Sequence, residues 1–392
     1  MKARWILSAA AVIALLPISA GALEVTAESI AEIPETSAYA YSLYCANNGE
    51  YIVGKRDSER LPMASTTKIM TALLGLESNA RGEVTQVTIT EDMYAEGSSM
   101  YLAAGETVPM REMMGAMLMV SGNDAANAAA IAIGGSMEGF ARIMNERAAQ
   151  IGLADTHFVT PSGLDAEGHF TTARDLAKLM AYCMENDDFA QLDGSSAVTV
   201  DFIEPRGKSE TYYNENKLLS RYEYCIAGKT GFTDLAGRTL VSCAEKDGVR
   251  LICVTLNDGD DWNDHEKLYE YGFSEESLSQ PERHNGRYSV PVVGGSAAEV
   301  YAEAGEPPFV CVGQESGVTF EVDLPRFVYA PIEKGEVVGA VKYYTGSIYA
   351  GKAELTAVES VSVDDTQTGY LENLWSYIRK LVKRFGGKKD GG

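Results

Sequence analysis

The sequence predicts a mixed α/β (α+β) protein, in which a large helical block packs on an antiparallel sheet and a small all-β domain follows. Two changes of hydrophobic period predict this arrangement. Apolar residues alternate at strand period before residue 56 and again after residue 195, whereas between about 65 and 190 they recur at helical spacing. Because strands stand at both ends of the helical block, we expect them to meet in one sheet.

The composition is that of a folded, acidic protein. The chain has 392 residues, 45% of them apolar and 9% aromatic, with 33 basic and 56 acidic side chains and a net charge of −23. At roughly 150 residues per domain, this length predicts two domains. Nucleic acid is excluded as the main partner, because phosphate binding needs a basic face.

The N-terminus has the features of a secretory signal peptide over residues 1–22. After a basic start, an apolar run extends from Ile6 to Leu16, and Ala20-Gly21-Ala22 supplies a small-x-small cleavage site. The run is too short to span a bilayer as a helix. The alternative is a retained membrane anchor. We expect an exported chain whose mature form starts near Leu23.

Two hairpins and several helices are expected next. Residues 38–56 predict a hairpin around the turn Asn47-Asn48-Gly49, and Asp247-Gly248 marks a second one. A helix is also expected over about 265–271. Ser136 is a candidate N-cap. Helical spacing is found at Ile69, Met70, Leu73 and Leu74, at Met113, Met114, Met117 and Leu118, and from Ala125 to Ile133.

A linker and a small β domain are expected in the second part of the chain. Residues 274–288 are polar and predict a linker. Residues 289–363 are rich in Val, Tyr and Gly, with short alternating runs such as 318–324. We therefore expect a β-sandwich domain over 285–363.

The C-terminus predicts an amphipathic helix over residues 368–386. Residues 371–392 carry six basic and two acidic side chains, unlike the acidic remainder. Such a helix either packs on a protein core or lies in a membrane interface, and the basic cluster favours membrane contact through residues 371–385. The apolar residues keep i, i+3, i+4, i+7 spacing at Leu371, Leu374, Trp375, Ile378, Leu381, Val382 and Phe385.

Ser65-Thr66-Thr67-Lys68 is the first of three short motifs that carry chemistry. Ser65 precedes an apolar helix and Lys68 follows one turn later, so both side chains can project from one face. A serine hydroxyl becomes a nucleophile when a base takes its proton, and a lysine of lowered pKa can be that base. Taken alone, the pattern is weak and is more typical of an N-cap serine and a surface lysine.

Two further motifs lie downstream. Ser121-Gly122-Asn123, between a Met-rich and an Ala-rich helix, puts on one loop a serine that can pass a proton and an amide that can hold a peptide group. Lys229-Thr230-Gly231 follows an extended run; a lysine and a hydroxyl suit a carboxylate, and the glycine lets a substrate backbone approach. Singly, they also fit an ordinary turn and an edge strand with an exposed lysine.

The combination is more specific than any single motif. Ser-x-x-Lys, Ser-x-Asn and Lys-Thr-Gly occur in this order on a helix, a loop and a strand, which is the set of the penicillin-recognising serine enzymes. The chain resembles the serine-type D-alanyl-D-alanine carboxypeptidases, the low-molecular-mass penicillin-binding proteins. The resemblance covers nearly the whole mature chain and includes residues 62–72, 121–126, 158–164, 172–177, 214–219, 228–233 and 236–238.

The resemblance implies a fold and an activity. It implies a β-lactamase/transpeptidase-like catalytic domain over residues 23–273, followed by the β domain and the amphipathic helix at the outer face of the cytoplasmic membrane. The implied enzyme is a serine DD-carboxypeptidase that removes the terminal D-alanine from peptidoglycan stem pentapeptides. β-Lactams, which imitate this substrate, are expected to acylate the same serine. The resemblance implies no cofactor.

The resemblance also implies the catalytic roles. Ser65 attacks the carbonyl between the last two D-alanines, and Lys68 takes its proton. Ser121, with Lys229, helps to return a proton to the leaving D-alanine. The backbone N–H groups of Ser65 and Phe232 form the oxyanion hole.

Substrate binding is expected from the second and third motifs. The resemblance implies that Asn123 binds the peptide carbonyl of the substrate, and that Lys229 and Thr230, next to Gly231, hold its terminal carboxylate. Many relatives have a further arginine before the last helix of the catalytic domain, where this chain has residues 260–265 without one. Arg250 is therefore a candidate replacement, and no residue can be assigned as the base for deacylation.

The remaining polar clusters are expected to be structural. The four histidines lack metal-ligand spacing, so no metal site is expected, and His157 and His169 are expected to support a loop. The acidic segment 258–264 does not fit a calcium loop and is expected to be solvated. The cysteines at 45, 225, 243 and 253 are expected in the core, with a disulfide as the alternative in an exported chain.

Other functions are compatible with the same motifs. A DD-endopeptidase of cross-links or a weak β-lactamase would use the same site, and a non-catalytic peptidoglycan-binding protein would use the same scaffold. An intact nucleophile–base pair favours an enzyme, because a protein that only binds needs no nucleophile.

Overall fold

The computed structural model describes residues 32–313, 317–346, 348–364 and 375–380. The predicted signal peptide lies outside these residues. The helices are α1 (Lys68–Ala80), α2 (Met110–Val120), α3 (Asn123–Gly134), α4 (Met137–Ile151), α5 (Ala173–Cys183), α6 (Asp187–Asp193), α7 (Leu218–Arg221) and α8 (Asp261–Glu275), with 3-10 turns at Ala64–Thr67 and Glu91–Met93.

The strands fall into a first group before α8 and a second group after it. Those of the first group are β1 (Ala40–Cys45), β2 (Glu50–Lys55), β3 (Gln86–Thr88), β4 (Thr107–Pro109), β5 (Ala197–Asp201), β6 (Ser209–Tyr213), β7 (Cys225–Thr233), β8 (Gly237–Lys246) and β9 (Val249–Leu256). Those of the second group are β10 (Glu276–Ser279), β11 (Arg287–Val293), β12 (Glu299–Ala304), β13 (Val310–Gly313), β14 (Val318–Asp323), β15 (Val328–Tyr329), β16 (Val337–Thr345) and β17 (Ile348–Ala357).

The strands before and after the helical block meet in one antiparallel sheet, as the sequence predicts. Its strand order is β2-β1-β9-β8-β7. Both expected hairpins form, with Gly49 at φ 75° in the first turn and Asp247 and Gly248 at φ 51° and 81° in the second. Positive φ at both central residues twists a two-residue turn to match the strands.

The sheet is covered on both faces, which explains the continuous apolar run in β9. Ile252 and Val254 face the core of the helical block, whereas Leu251 and Cys253 pack in a second cluster with Leu268 of α8. A strand buried on both faces does not alternate between apolar and polar residues.

The helical block contains the predicted helices. Helix α1 is buried around almost its whole circumference, as expected of a helix at the centre of a core. The methionines of α2 face it, and the carbon added by a side chain at Gly75 would lie 2.4 Å from Met114 Sδ. The Ser136 hydroxyl caps α4 by accepting a hydrogen bond from Gly139 N at 3.0 Å, as predicted.

The expectation of a solvated acidic segment over 258–264 is wrong for three of its four aspartates, whereas Asp260 is exposed. Asp258, Asp261 and Asp264 are only 1–2% exposed. The Ser37 hydroxyl bonds to Asp258 and Asp264, and Lys267 bonds to Asp264 at 2.9 Å. Helix α8 begins at Asp261, earlier than expected, because these carboxylates lie at its N-terminal end, where negative charge is stabilised.

The expected linker over 274–288 is partly a strand. Strand β10 pairs antiparallel with β13, which belongs to the C-terminal β domain. The second sheet of that domain has the order β14-β16-β17-β12-β11-β15, antiparallel except for the β11–β15 pair. Val310 of β13 packs in one apolar cluster with Val341 and Leu355, so the small ribbon covers one face of the larger sheet.

The predicted C-terminal helix lies mostly outside the described residues. Residues 375–380 are helical and their side chains are exposed. Among the described helices we find none with the length and apolar character needed to cross a bilayer.

Candidate active site

Ser65 and Lys68 lie on consecutive turns of the chain at the start of α1. The 3-10 turn Ala64–Thr67 leads directly into the helix, whose first residue is Lys68. Lys68 Nζ is 3.0 Å from Ser65 Oγ, and the lysine is fully buried, whereas Ser65 is partly open to the cleft. The helical spacing thus brings a serine and a lysine into hydrogen-bond contact.

The other partners of Lys68 define which way its lone pair points. Its amine contacts Asn123 Oδ1 and Ser162 O, both at 2.6 Å. Both are amide oxygens and can only accept hydrogen bonds. A neutral amine has two N–H donors and one lone pair, so the lone pair is left for the Ser65 hydroxyl. In its neutral form, Lys68 is thus oriented with its lone pair toward the Ser65 hydroxyl.

The surroundings of Lys68 favour its neutral form. Burial and, after it, the positive charge of Lys229 hold the pKa of Lys68 well below its usual value, against the opposing effect of Asp124. A general base works best when its pKa lies near the working pH. The lowered pKa that the sequence analysis requires of this lysine is therefore explained by its burial and by the neighbouring cation.

Ser121 lies at the same cleft. It follows α2 in a left-handed conformation, with φ 58°, which is unusual for a residue other than glycine. Its Oγ is buried and makes no hydrogen bond with any residue that the structure describes. Ser121 therefore carries a hydroxyl without a described partner at the wall of the cleft that Ser65 also lines.

Asn123 and Asp124 fasten the loop that forms one wall of the cleft. Asn123 Nδ2 donates to Glu96 O at 2.6 Å, and the Asp124 carboxylate accepts from the backbone N–H groups of Met100 and Leu102 at 2.9 and 3.1 Å. Asp124 follows the Ser-x-Asn motif directly, but the sequence alone gave it no role.

Strand β7 brings the third motif beside Ser65. It is the edge strand of the sheet, and Thr230 and Gly231 line the cleft. A methyl group at Gly231 would lie 2.5 Å from Thr239 Oγ1 and 2.8 Å from Ser65 N. Only glycine allows this approach, and it keeps the strand close to the backbone of Ser65.

Lys229 is buried with Asp193 as its electrostatic partner. Its Nζ donates to Thr230 O at 2.8 Å. Burial lowers the pKa of Lys229 to about 8, and the Asp193 carboxylate opposes this shift. Burial raises the pKa of Asp193 to about 6, against the effect of Lys229. Asp193 ends α6 and was missed from the sequence because it stands in no motif.

The loop over 158–164 forms the floor under Ser65. Pro161 O accepts from Thr71 Oγ1 at 2.6 Å, and the next carbonyl holds Lys68. Gly163 has φ 86°, and a methyl group there would lie 1.9 Å from Ala64 O. The loop therefore fixes the turn that carries the serine.

His169 is structural, as expected. Its Nδ1 accepts from Val159 N at 2.9 Å, so its Nε2 carries the proton and donates to Thr67 Oγ1 at 2.8 Å. Burial lowers the pKa of His169 to about 4, which keeps the ring neutral. The ring connects the floor loop to the turn of Ser65.

The comparisons with known proteins agree with this geometry. A family model described as D-alanyl-D-alanine carboxypeptidase (peptidase family S11) matches residues 27–260, more than half of the chain. The chain belongs to this family. A model of the C-terminal domain of penicillin-binding protein 5 matches residues 283–363. The predicted fold class and the predicted serine-type carboxypeptidase are confirmed.

Individual relatives match most of the carboxypeptidase. D-alanyl-D-alanine carboxypeptidase DacC of Escherichia coli is 30% identical over 385 residues, which cover 92% of each chain. DacF of Bacillus subtilis is 30% identical over 307 residues, covering 75% of this chain and 78% of that one. The crystal structure of penicillin-binding protein 5 from Haemophilus influenzae superposes with a TM-score of 0.63 at 26% identity, covering 85% of this chain and 99% of that one.

Arg238 supplies the cleft of the carboxypeptidase with a guanidinium group. It stands on β8 opposite Phe232, and its Nε and Nη2 reach Asp261 Oδ2 at 3.1 and 2.7 Å. Its side chain stays 45% exposed, whereas that of Asp261 is 3% exposed. Arg238 and Asp261 both line the cleft with Ser65. The pair was missed because its two members come from separate elements.

The suggestion that Arg250 replaces the missing arginine is wrong. Its Nε bonds to Glu245 at 2.9 Å, and its Nη1 is 3.4 Å from Glu185. These residues line a separate depression beside the β8–β9 turn. Arg250 is bound by carboxylates away from the Ser65 cleft.

Replacement of Gly163 by alanine tests the role of the floor loop in the carboxypeptidase. We expect Gly163→Ala to reduce the rate of acylation by a penicillin on the order of 100-fold, because the methyl group forces the Ser65 turn to move and misplacement by an ångström has an effect of this size. Gly168→Ala is the control: it has a similar φ of 80°, but its nearest atom would be 3.8 Å away. Equal acylation rates in the two variants would contradict this role.

Proposed function

We propose that Ser65 forms the acyl-enzyme in the removal of the terminal D-alanine from peptidoglycan stem pentapeptides. The observation that carries the proposal is the 3.0 Å contact between the buried Lys68 amine and the Ser65 hydroxyl. Lys68 accepts the proton as Ser65 Oγ bonds to the carbonyl carbon between the last two D-alanines. The negative charge that develops on the carbonyl oxygen is stabilised by the backbone N–H groups of Ser65 and Phe232.

The second half of acylation needs a proton on the leaving nitrogen. The free Ser121 hydroxyl gives its proton to the amine of D-alanine as the C–N bond breaks. Ser121 then regains a proton from the Lys68 ammonium, which took it from Ser65, with the Lys229 ammonium assisting this transfer. Water then attacks the ester carbonyl, the bond to Ser65 Oγ breaks, one proton of the water passes to Oγ to restore the serine hydroxyl, and the shortened peptide leaves with the remaining hydroxyl as a carboxylic acid.

Asn123 has a donor left for the substrate. Its Oδ1 accepts from Lys68 and one N–H of Nδ2 donates to Glu96 O. An amide nitrogen carries two hydrogens, so the second one can donate to a peptide carbonyl of the substrate. The contacts with Lys68 and Glu96 would also hold the amide in one orientation.

We assign the terminal carboxylate of the substrate to Lys229, Thr230 and Arg238. The first two follow from the Lys-Thr-Gly motif. Arg238 is added because its guanidinium is fixed by Asp261 and still reaches the cleft. An arginine fork can bind one carboxylate with two N–H groups and present the others to a second one.

Labelling with a fluorescent penicillin tests the nucleophile. We expect covalent label on Ser65, identified by mass spectrometry of the labelled peptide, and none on Ser65→Ala. Ser58→Ala, an exposed serine nearby, is the control and should label normally. Folded protein without label would contradict the proposal. Product analysis with a pentapeptide, a cross-linked dimer and a β-lactam then separates carboxypeptidase from endopeptidase and β-lactamase.

The carboxylate assignment predicts a specific pH dependence. Below pH 8, Lys229 is charged and contributes to carboxylate binding; above it this contribution is lost, while an arginine stays charged. We expect Arg238→Gln to lower kcat/KM by about 10- to 100-fold at pH 7, mainly through KM. The fall between pH 7 and 9 should also become steeper than in the unaltered enzyme.

Arg250→Gln is the matched control for this experiment. It removes an arginine that also bonds to a carboxylate, but outside the cleft. Kinetics with a D-alanyl-D-alanine peptide should be unchanged in this variant. If Arg238→Gln matched it at both pH values, Arg238 would have no part in carboxylate binding.

We also propose that the enzyme is exported and held at the outer face of the membrane by residues 371–385. The support is the apolar spacing in the sequence, together with the helical conformation and exposure of residues 375–380. Trp375 is 61% and Ile378 38% exposed, so neither is covered by the domains. An apolar stripe beside basic side chains suits an interface with anionic lipid.

Sedimentation with membranes tests the anchor. Deletion of residues 370–392 should release the enzyme to the supernatant. Trp375→Ser should weaken sedimentation, whereas Tyr377→Ser, which removes an equally exposed aromatic residue outside the apolar stripe, should have little effect. A truncated enzyme that still sediments would overturn this assignment.

A further inference from the structure

Cys45 and Cys311 meet where the two domains touch. Cys45 ends β1 of the catalytic sheet, and Cys311 lies on β13 of the β domain. Their sulfurs are 3.5 Å apart across a sequence separation of 266 residues. They are 0% and 3% exposed. Within the described part of the chain, which contains all six cysteines, this is the only thiol–thiol contact.

The catalytic reaction does not account for this pair. The cleft at Ser65 is lined by other residues, and neither sulfur is among them. A lone buried cysteine packs as a small apolar residue, as Cys253 does between the sheet and α8. Two thiols in contact, one from each domain, are in addition able to bond to each other.

We propose that Cys45 and Cys311 form a disulfide that joins the two domains when the chain folds in an oxidising compartment. The proposal goes beyond the carboxypeptidase activity and depends only on export. A sulfur–sulfur bond is about 2 Å long, so the two side chains must approach by roughly 1.5 Å. Each sulfur is carried by a strand that is held by hydrogen bonds to its neighbours, which keeps the two thiols facing each other.

Disulfide exchange supplies the chemistry. One cysteine thiolate attacks a disulfide of the glutathione type or of a protein carrier, forming a mixed disulfide and releasing one carrier thiol. The second cysteine displaces the other carrier thiol and closes the bond. The two cysteines are oxidised, the carrier disulfide is reduced, and the two protons leave on its thiols. Since both sulfurs are buried in the folded protein, the exchange precedes closure of the domains.

A metal ion is the competing occupant. Cys45, Cys311 and Glu276 place one ligand atom each within 4.8 Å of one another. However, Glu276 Oε2 already accepts from Asn48 Nδ2 at 3.0 Å. Thiols must lose their protons to bind a metal, whereas the hydrogen bond with Cys45 and then burial raise the pKa of the Cys311 thiol. A neutral disulfide fits this environment better than two thiolates and a carboxylate.

Peptide mapping of the full chain tests the proposal. The protein is purified from an oxidising secretory compartment and, separately, refolded from reductant in a buffer of reduced and oxidised glutathione. It is digested with trypsin without reduction. The segment that ends at Lys55 and the segment 288–326 each contain one cysteine, so their linked mass identifies the bond. We expect that mass, and four reactive thiols out of six in the denatured, unreduced protein.

Variants connect the bond to the domain junction. Reduction should lower the melting temperature of the oxidised enzyme by several degrees and leave penicillin labelling of the folded form intact. Cys45→Ser and Cys311→Ser should remove the linked peptide and the effect of reduction. Cys225→Ser should retain both, because its hydroxyl can replace the thiol that contacts Ala227 O. Six reactive thiols in folded, penicillin-labelled protein from both preparations would overturn the proposal, as would a divalent ion in native mass spectra that Cys45→Ser loses.

Discussion

The whole site depends on keeping the amine of one buried lysine neutral and directed at a serine. A charged ammonium in this position would cost free energy of burial, and it would have no lone pair to offer. Two amide oxygens, Asn123 Oδ1 and Ser162 O, take the two N–H groups and leave the lone pair for Ser65. These acceptors come from the start of α3 and from the floor loop, so the packing of both elements against α1 also orients the Lys68 amine.

The second lysine extends the same electrostatic arrangement. Burial and, after it, the charge of Lys229 lower the pKa of Lys68. Burial also lowers the pKa of Lys229, and the Asp193 carboxylate opposes that shift. The Asp193 carboxylate, the Lys229 ammonium and the Lys68 amine thus form one series in which each charge affects the pKa of the next group. A third charged group, Arg238, reaches the cleft from β8 and forms an ion pair with Asp261. Because the Asp261 carboxylate is buried, it needs this cation as a partner. The charges of the cleft are therefore set by residues behind its surface.

Much of the fold could be predicted because its signals are local. The period of apolar residues gave both hairpins and the helical block, and the three motifs named the residues that meet at Ser65. What escaped prediction were partners distant in sequence. Asp193 stands in no motif, and residues 236–238 contribute to the resemblance without indicating that Arg238 pairs with Asp261. A run of acidic residues such as 258–264 has the same pattern whether it is solvated or buried. Strand β10 was taken for a linker because a short edge segment acquires its partner, β13, only in the folded domain.

The turn of the first hairpin also has a partner that is distant in sequence. Asn48 was selected from the sequence only as a turn residue, yet it is 1% exposed and donates to Glu276, the first residue of β10. Burial raises the pKa of Glu276, so without that hydrogen bond the carboxyl would be buried at a greater cost. The turn therefore closes the β1–β2 hairpin and also forms a hydrogen bond with the first residue of β10, the strand that pairs with the β domain. Because β1 is an interior strand of the five-stranded sheet, the β domain is attached next to a strand that is hydrogen-bonded on both sides.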